Sequence, residues 1–385
     1  MHQNVRIEKL VYGGDGIART DAGVVFVPGV IPGELVEVVA EQRKNGIVRC
    51  TVERIIEQSK RRRRPFCPHF GECGGCDWQF IDYQYQPEIK RDILIDCMVR
   101  IGKIGSELKP EIFCCDERGY RIRSQIKIDR SANTAGFFKK KSNSIVAITT
   151  CPLLSDPLNT LLADFSSGKV ELPHATVLRV IEGANAQITS SPVISNRTLP
   201  QTEIRVENRR FIIQGESFFQ SNGYLLQQLG RWAAKEIKAD RCMDLYGGCG
   251  FFSVMLHDCY NKGMLVENSF VQTELAKKNC ALNGIGNVDV VCGDVEKAKA
   301  AKKVRDFKPD CVIVDPPRPG LTRCAREWIS SLSPSTLLYV SCNPSTLARD
   351  TNFFVNRCGY RIKRSALFDL YPNTTHLEAA IVLVK

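Results

Sequence analysis

The sequence predicts a multidomain α/β protein, and three observations carry that prediction. From about residue 218 the chain repeats a strand, a Gly- or Pro-rich loop and a helical segment, the pattern of a doubly wound, Rossmann-like sheet. The first 57 residues instead hold short alternating strands between Gly and Pro turns, which suits a small OB-type β-barrel. At about 150 residues per domain, a chain of 385 has room for two or three. We therefore divide it at 1–57, 58–215 and 216–385, the middle part a small α/β domain.

Taken in order, VRIEKLVYGGDGIART, GVVFVPGVIPGELVEVVA and GIVRCTVERIIE alternate apolar and polar residues, with turns at Gly13-Gly14, Pro28-Gly29 and Pro32-Gly33. Five cations, Lys60 to Arg64, mark the first boundary. Residues 65–90 are rich in Cys, Gly and aromatics, and 87–103 have helical spacing, with Ile89, Ile93, Ile95, Met98, Val99 and Ile101 assigned to one face. Strands and helices mix over 112–215. Strands then follow at 242–246, 263–267, 288–292, 310–314 and 337–341, with a helix at TELAKKNCALNG and a last strand at AAIVLV. Such sheets bind their ligands at the carboxyl ends of the strands.

Composition narrows the function. Lys and Arg total 53 against 42 acids, a net charge of +11. Two basic segments, Lys60 to Arg64 and Arg118 to Lys141, account for the excess, and Tyr120, Phe137 and Phe138 lie within the second. Basic stretches with aromatics suit a nucleic acid. No apolar run is long enough to span a bilayer. The charged start MHQNVRIEKL lacks the apolar core of a secretory signal, so the expected location is the cytoplasm. The 17 cysteines are an odd number in a long chain, which predicts thiols with a metal or catalytic exception rather than a disulfide framework.

Candidate chemistry collects at the strand ends. The loop Asp244-Leu-Tyr-Gly-Gly-Cys-Gly lets the backbone approach a ligand, and Glu267, at the end of the next strand, can accept hydrogen bonds from a ribose diol. Either a nicotinamide cofactor or S-adenosylmethionine fits. Asp315-Pro-Pro-Arg-Pro-Gly holds a rigid carboxylate at a strand end. Cys342, in Tyr339-Val-Ser-Cys-Asn-Pro, offers a thiol to the same crevice, and Glu378 stands just before the last strand. A thiol, a methyl donor and a base together suit methylation of a pyrimidine at carbon 5, a carbon that becomes nucleophilic only after a thiolate adds at carbon 6. An oxidoreductase would leave Cys342, Asp315 and the basic segments without a role. A non-catalytic RNA-binding iron–sulfur protein would account only for the N-terminal half.

The segments Phe218-Phe-Gln-Ser-Asn222, Asp244 to Gly250, Asp315 to Leu321, Ser341 to Asp350 and Asp369 to Glu378 resemble, in order, those of the RNA uracil-C5 methyltransferases that use S-adenosylmethionine. The resemblance implies that Cys342 is the nucleophile and Glu378 the base. It places Gln220, Tyr246, Glu267, Asp294 and Asp315 around the methyl donor. Gly247 stands where the family usually has Cys, Asn373 where it usually has Gln, and Phe251 where some members have a polar contact.

Cys67, Cys73 and Cys76 are close enough in sequence to share a metal, with His69 or Cys114-Cys115 as further ligands if it is zinc. The family's iron–sulfur branch has the same spacing and a fourth Cys before a Pro, matched by Cys151-Pro152, which implies a [4Fe–4S] cluster. The same branch implies a TRAM-like RNA-binding domain in 1–57 and favours 23S ribosomal RNA over transfer RNA. A monomer with no membrane partner is expected.

Overall fold

The computed structural model describes residues 2–21, 23–44, 47–105 and 107–385. Its N-terminal part is a six-stranded sheet in the order His2–Arg6, Leu35–Lys44, Ile47–Glu57, Gly23–Val27, Gly16–Thr20, Lys9–Leu10. Alternate residues, among them Val5, Val25, Val27, Val36 and Val38, fill its core.

Here the basic run of 60–64 loses its expected freedom. Arg62 makes a two-pronged ion pair with the fully buried Glu34, with both contacts at 2.7 Å, and donates to Gly29 O. Arg63 pairs with Glu117 and donates to Asn373 Oδ1 at 2.9 Å, and Arg61 lies over the Tyr85 ring. Lys60 and Arg64 are the exposed members. Pairing inside the protein turns most of this run into a bolt between the N-terminal sheet and the body behind it.

A second, antiparallel sheet runs in the order Ile145–Ala147, Thr134–Phe138, Arg123–Asp129, Val177–Glu182, Ile188–Ser191. Helix Asp156–Ser166 covers one face, packing Leu158, Leu161, Leu162 and Phe165 on Ile126, Val146, Leu178 and Val180. The other face carries Arg123, Gln125, Lys127 and Arg179.

The large sheet has eight strands, in the order Val288–Cys292, Tyr260–Glu267, Ala239–Leu245, Cys311–Val314, Thr336–Ser341, Glu378–Val384, Arg361–Phe368, Glu111–Phe113. The first five are parallel, as the alternation predicts. Glu378–Val384 runs antiparallel between its two neighbours, so the sheet is mixed at that side.

The packing divides the chain less simply than the sequence does. Strand Glu111–Phe113 extends the large sheet, although it lies within 58–215. Helix Gln86–Arg100 likewise joins the large sheet's core through Ile89, Ile93, Leu94, Cys97 and Met98. That helix is shorter than expected. Val99 and Ile101 are exposed, and Gly102, whose added Cβ would meet Met98 O at 2.5 Å, turns the chain away. Its Lys90 is fully buried, 2.6 Å from the equally buried Asp369, and donates to Tyr371 O at 2.8 Å. Burial lowers the Lys90 pKa, and Asp369 opposes the shift. The pair fixes the 369–376 loop, because a buried charge without its partner costs several kcal/mol (about 3–5). Among the described residues, no helix is long and apolar enough to cross a membrane.

Candidate active site

Strand Ala239–Leu245 ends in a turn that puts Tyr246, Gly248 and Gly250 at φ values of 61°, 53° and 89°. The left-handed region suits glycine and strains tyrosine. The turn brings Gly248 N to 3.1 Å from Glu267 Oε2, while Ser269 N lies 2.8 Å from Oε1. Glu267 is thus held at its strand end by two backbone donors. A Cβ at Gly247 would meet Leu265 Cγ at 2.5 Å, so a cysteine there would require Leu265 to move.

Behind the turn, Asp244 Oδ2 accepts from Ser253 N at 3.1 Å and Ser253 Oγ at 2.7 Å. Its Oδ1 has no partner, and burial pushes the acid up to about 7. The buried Gln220 Oε1 and Gln272 Oε1 also lack partners. Phe218 O, accepting from Gln272 Nε2 and Cys249 Sγ, ties these segments together. Buried acceptors without donors are costly, so this turn suits a ligand rich in N–H and O–H groups.

Asp294 follows the next strand. It caps helix Val295–Ala298, its Oδ1 accepting from Glu296 N at 2.9 Å and Lys297 N at 3.2 Å. Gly293 N donates to Glu267 O. The Tyr246 hydroxyl is pushed up to about 12, first by burial and then by Glu296 and Asp294. The structure thus brings Tyr246, Glu267 and Asp294 around one end of the crevice, with Gln220 behind the turn.

The other end holds the thiol. Ser341 pairs with Ala379 in an antiparallel ladder, so the next residues, Cys342 and Glu378, continue side by side. Glu378 is the first residue of its strand rather than a loop residue before it. Asp315 follows the adjacent strand, Cys311–Val314. Asn343 caps the helix after Cys342, accepting from Ser345 N at 3.0 Å and Thr346 N at 3.4 Å. Burial, then Glu378 and Asp315, push the Cys342 thiol up to about 11, and Arg318 draws it down. Burial, then Asp244, push Asp315 up to about 7. Glu378 is raised well above the usual carboxylate range by burial and Asp315, again against Arg318. A thiol and two carboxyl groups therefore share few charges, with one cation beside them. That arrangement can pass protons over a short path.

Sequence reasoning missed Arg318, although it lay inside the Asp315 motif. Asp350, the last residue of the Cys342 motif, proves to be a clamp: it accepts from Tyr339 OH at 2.7 Å, pairs with Arg326 and Arg349, and holds Leu321 N. Tyr12 was also missed. Burial raises its hydroxyl, and Arg318 and Cys342 are among its charged neighbours. Next to it, a Cβ on Gly14 (φ +89°) would collide with Thr375 and come within 3.0 Å of Trp78 Nε1, so the N-terminal loop sits directly on the loop before Glu378. Only packing across 360 residues reveals this, and no local pattern could.

The second cysteine group lies elsewhere. Cys67, Cys73, Cys76 and Cys151 line one cavity of about 290 Å³ with His69, Arg121 and Lys139. Gly75 N donates to Cys73 Sγ at 3.4 Å and Gln79 Nε2 to Cys76 Sγ at 3.3 Å. Burial pushes Cys76 up to about 12 and also raises Cys73 and Cys151. Cys114 and Cys115 do not line this cavity, and Cys115 Sγ instead accepts from Asn222 Nδ2. Among the described residues, no three His, Cys, Asp or Glu groups are close enough to hold a metal ion as they stand.

Residues 188–385 match the family model described as tRNA (Uracil-5-)-methyltransferase, and residues 2–52 match the TRAM domain. The 23S rRNA (uracil(1939)-C(5))-methyltransferase RlmD of Shewanella amazonensis is 30% identical over 97% of this chain and 94% of its own. An uncharacterized RNA methyltransferase of Aquifex aeolicus is 29% identical over 98% of this chain and 97% of its own. The crystal structure of Pyrococcus abyssi tRNA (uracil-54, C5)-methyltransferase with S-adenosyl-L-homocysteine superposes with a TM-score of 0.76 at 23% identity, covering 99% of this chain and 100% of the other. That likeness shows a shared fold.

Proposed function

This chain belongs to the tRNA (uracil-5-)-methyltransferase family, and from that premise we propose that it methylates carbon 5 of a uridine in 23S ribosomal RNA. The methyl donor of the reaction is S-adenosylmethionine. The observation that carries the mechanism is the placement of Cys342 beside Glu378 at the ladder end, with Asp315 and Arg318 around them. In our reading the Cys342 thiolate adds to carbon 6 of the uracil, and carbon 5 of the resulting enolate takes the methyl group as its bond to the donor's sulfonium breaks and S-adenosylhomocysteine leaves. Glu378 then removes the carbon 5 proton, and the thiolate leaves as the double bond re-forms. Arg318 favours the thiolate, and Asp315 sits where a carboxylate can bond a base edge. The orphaned acceptors of Gln220 and Asp244, with Glu267, Tyr246 and Asp294, support binding of the amino-acid and ribose parts of the donor. Relatives named for 23S rRNA and matched along their whole length favour the ribosomal substrate. The family's own description keeps transfer RNA as the second reading.

We further propose that Cys67, Cys73, Cys76 and Cys151 hold a [4Fe–4S] cluster. Four thiols around one cavity, two of them backed by N–H donors, fit a cluster whose cube spreads its ligands wider than a single ion does. A zinc ion would need four sulfurs at about 2.3 Å from one centre, whereas a [4Fe–4S] cluster takes each thiolate on a separate iron. When bound, the cluster would brace the loop 67–76 against Cys151, since methyl transfer moves no electron. We further propose a monomer acting in the cytoplasm, where thiols such as these stay reduced. We assign RNA binding to 1–57 and catalysis to 216–385, with 58–215 between them.

The test is to supply labelled S-adenosylmethionine with unmodified 23S rRNA and transfer RNA and to map the product. A single 5-methyluridine in 23S rRNA is expected, and methylation of transfer RNA alone would overturn the ribosomal assignment.

A further inference from the structure

The four-thiol cavity and the donor end of the crevice are joined by one short strip of backbone, residues 119–122. Around Arg121 the backbone groups alternate between two neighbours, as they do in a strand. On one edge Gly119 N donates to Pro152 O at 3.0 Å and Arg121 N to Leu153 O at 2.9 Å, while Ser155 N donates to Arg121 O at 3.1 Å. On the other edge Ile122 N donates to Ser221 O at 2.9 Å and Gly223 N to Tyr120 O at 3.2 Å. Arg121 thus bridges Leu154 in parallel and Asn222 in antiparallel.

Each outer segment begins at a residue already placed in a site. Residues 152–155 follow Cys151, which lines the four-thiol cavity. Asn159 clamps that turn: its Oδ1 accepts from Cys151 N at 2.7 Å, and its Nδ2 donates to Cys151 O at 3.1 Å and Leu154 O at 3.0 Å. Residues 221–223 follow Gln220, whose buried Oε1 has no partner among the described residues. Asn222 is fully buried, and its side chain holds Leu370 O, Tyr224 N and Leu225 N. The strip also touches the loop before Glu378, because the buried Tyr120 donates from its hydroxyl to Pro372 O at 3.1 Å.

A strip bonded along both edges shifts as one piece. If 152–155 move, 120–122 either follow and carry 221–223 with them, or break bonds whose buried groups have no water to turn to. Ligation of Cys151 therefore favours the arrangement in which Gln220 is held, and a ligand on Gln220 favours the arrangement in which Cys151 is held. Two sites that bias one element share a coupling free energy, and that coupling is reciprocal.

We propose that residues 119–122 couple the two sites, so that filling the four-thiol site raises the affinity for the methyl donor and the bound donor protects the four-thiol site. The inference rests on the donor and cluster readings above. It makes Tyr120, Arg121 and Ile122 positioning residues that act through their backbone, and it makes donor affinity follow the supply of iron.

The experiment uses the full chain purified without oxygen, before and after removal of iron by a chelator, with S-adenosylhomocysteine as the probe. Loss of iron should weaken its binding, measured by calorimetry, about tenfold, within the roughly 5–150-fold typical of coupled sites. In the other direction, saturating S-adenosylhomocysteine should slow the release of iron to the chelator severalfold. Asn159→Ala loosens the turn after Cys151 and touches neither a thiol nor the donor segment. It should keep its iron and still bind S-adenosylhomocysteine severalfold more weakly. Ile128→Ala, a core truncation at the far end of strand Arg123–Asp129, should leave that affinity unchanged, which separates coupling from a general loss of stability. If the iron-free chain unfolds, Asn159→Ala and the release rate decide. Equal affinity in Asn159→Ala and the wild type, together with a release rate that S-adenosylhomocysteine does not change, overturns the coupling alone. A wild type that holds iron but binds no S-adenosylhomocysteine overturns the donor reading, one that binds it but holds no iron overturns the cluster reading, and the coupling falls with either.

Discussion

Two groups of cysteines in this chain have the same side chain and opposite surroundings. Cys342 follows a parallel strand, beside two carboxyl groups that can take or give a proton, Glu378 and Asp315, and one fixed cation, Arg318. Cys67, Cys73, Cys76 and Cys151 line one cavity, where the neighbours that act on Cys73, Cys76 and Cys151 include other thiols of the group, with Arg121 beside Cys73 and Cys151. Burial raises thiols in both places, so burial alone does not separate them. A lone thiol beside carboxyl groups that can take its proton is arranged to react, whereas four thiols gathered on one cavity are arranged to share a metal.

The largest effect expected is at Cys342. Cys342→Ser should reduce methyl transfer by more than about a thousandfold, as loss of a nucleophile does elsewhere, while S-adenosylhomocysteine still binds. With 5-fluorouridine RNA the wild type should form a covalent adduct, because no proton can leave carbon 5, and the serine variant should form none. An adduct on Cys342→Ser, seen as a shifted band, would remove the thiol from the chemistry and erase the contrast between the two groups.

Glu378→Gln comes next. It keeps the shape but loses the proton acceptor, and a lost general base typically slows a reaction by about 10²–10⁴. The methylated RNA should then accumulate covalently on Cys342, detectable by mass. Normal turnover with nothing trapped would make the base a different group.

How legible these residues were follows from how local their signals are. The Gly-rich turn, the strand ends and the spacing of Cys67, Cys73 and Cys76 are written over a few residues each. The neighbour of Cys342 across the ladder is 36 positions away, and its pairing depends on a strand that runs antiparallel in an otherwise parallel sheet, which alternation could not predict. Strand Glu111–Phe113 is too short to signal its sheet, and the segment read as a separate middle domain conceals it. Charge was the least legible. Lys60 to Arg64 reads as an open cationic patch until Glu34 and Glu117, at distant positions, are found against it. Asn373, a departure from the family, proves to be a junction: its Oδ1 accepts from Arg63 and Gln86, and its carbonyl from Asp77 and Trp78.

Among the described residues Arg318 is the cation that acts on Cys342, so its removal sharpens the comparison by testing whether that charge activates the thiol. The thiol lies at about 11. Below that value the thiolate fraction, and with it adduct formation on 5-fluorouridine RNA, rises with pH. The rise should be less than tenfold per unit, because Asp315, at about 7, and Glu378 ionise as pH rises, and their charges push the thiol further up. Arg318→Gln removes the opposing charge. The whole profile should move to higher pH, with adduct formation near neutrality slowed on the order of tenfold. Added salt should shrink the difference, since Arg318 is exposed. A profile unchanged by the substitution would mean that another group activates the thiol.

The smallest effect on chemistry is expected in the four-thiol cavity, and there it tests whether the two groups are separate at all. Protein purified without oxygen should hold about four irons per chain, as four thiolates around one cluster require. Cys76→Ser or Cys151→Ser should abolish that iron. Adduct formation at saturating RNA should nevertheless fall only severalfold, because none of these thiols reaches the uracil in our mechanism. The residual loss has a route. Arg121 lines the cavity, and its charge also acts on Tyr371 and His376, in the loop before Glu378. If the cavity slackens, Arg121 shifts, and the electrostatic setting of the loop that carries the base changes. Arg121→Gln in protein that keeps its iron should then reproduce the severalfold loss without the loss of cluster. Zinc in place of iron would refute the ligand chemistry. A loss at Cys151→Ser as large as that at Cys342→Ser would show that the two groups work as one.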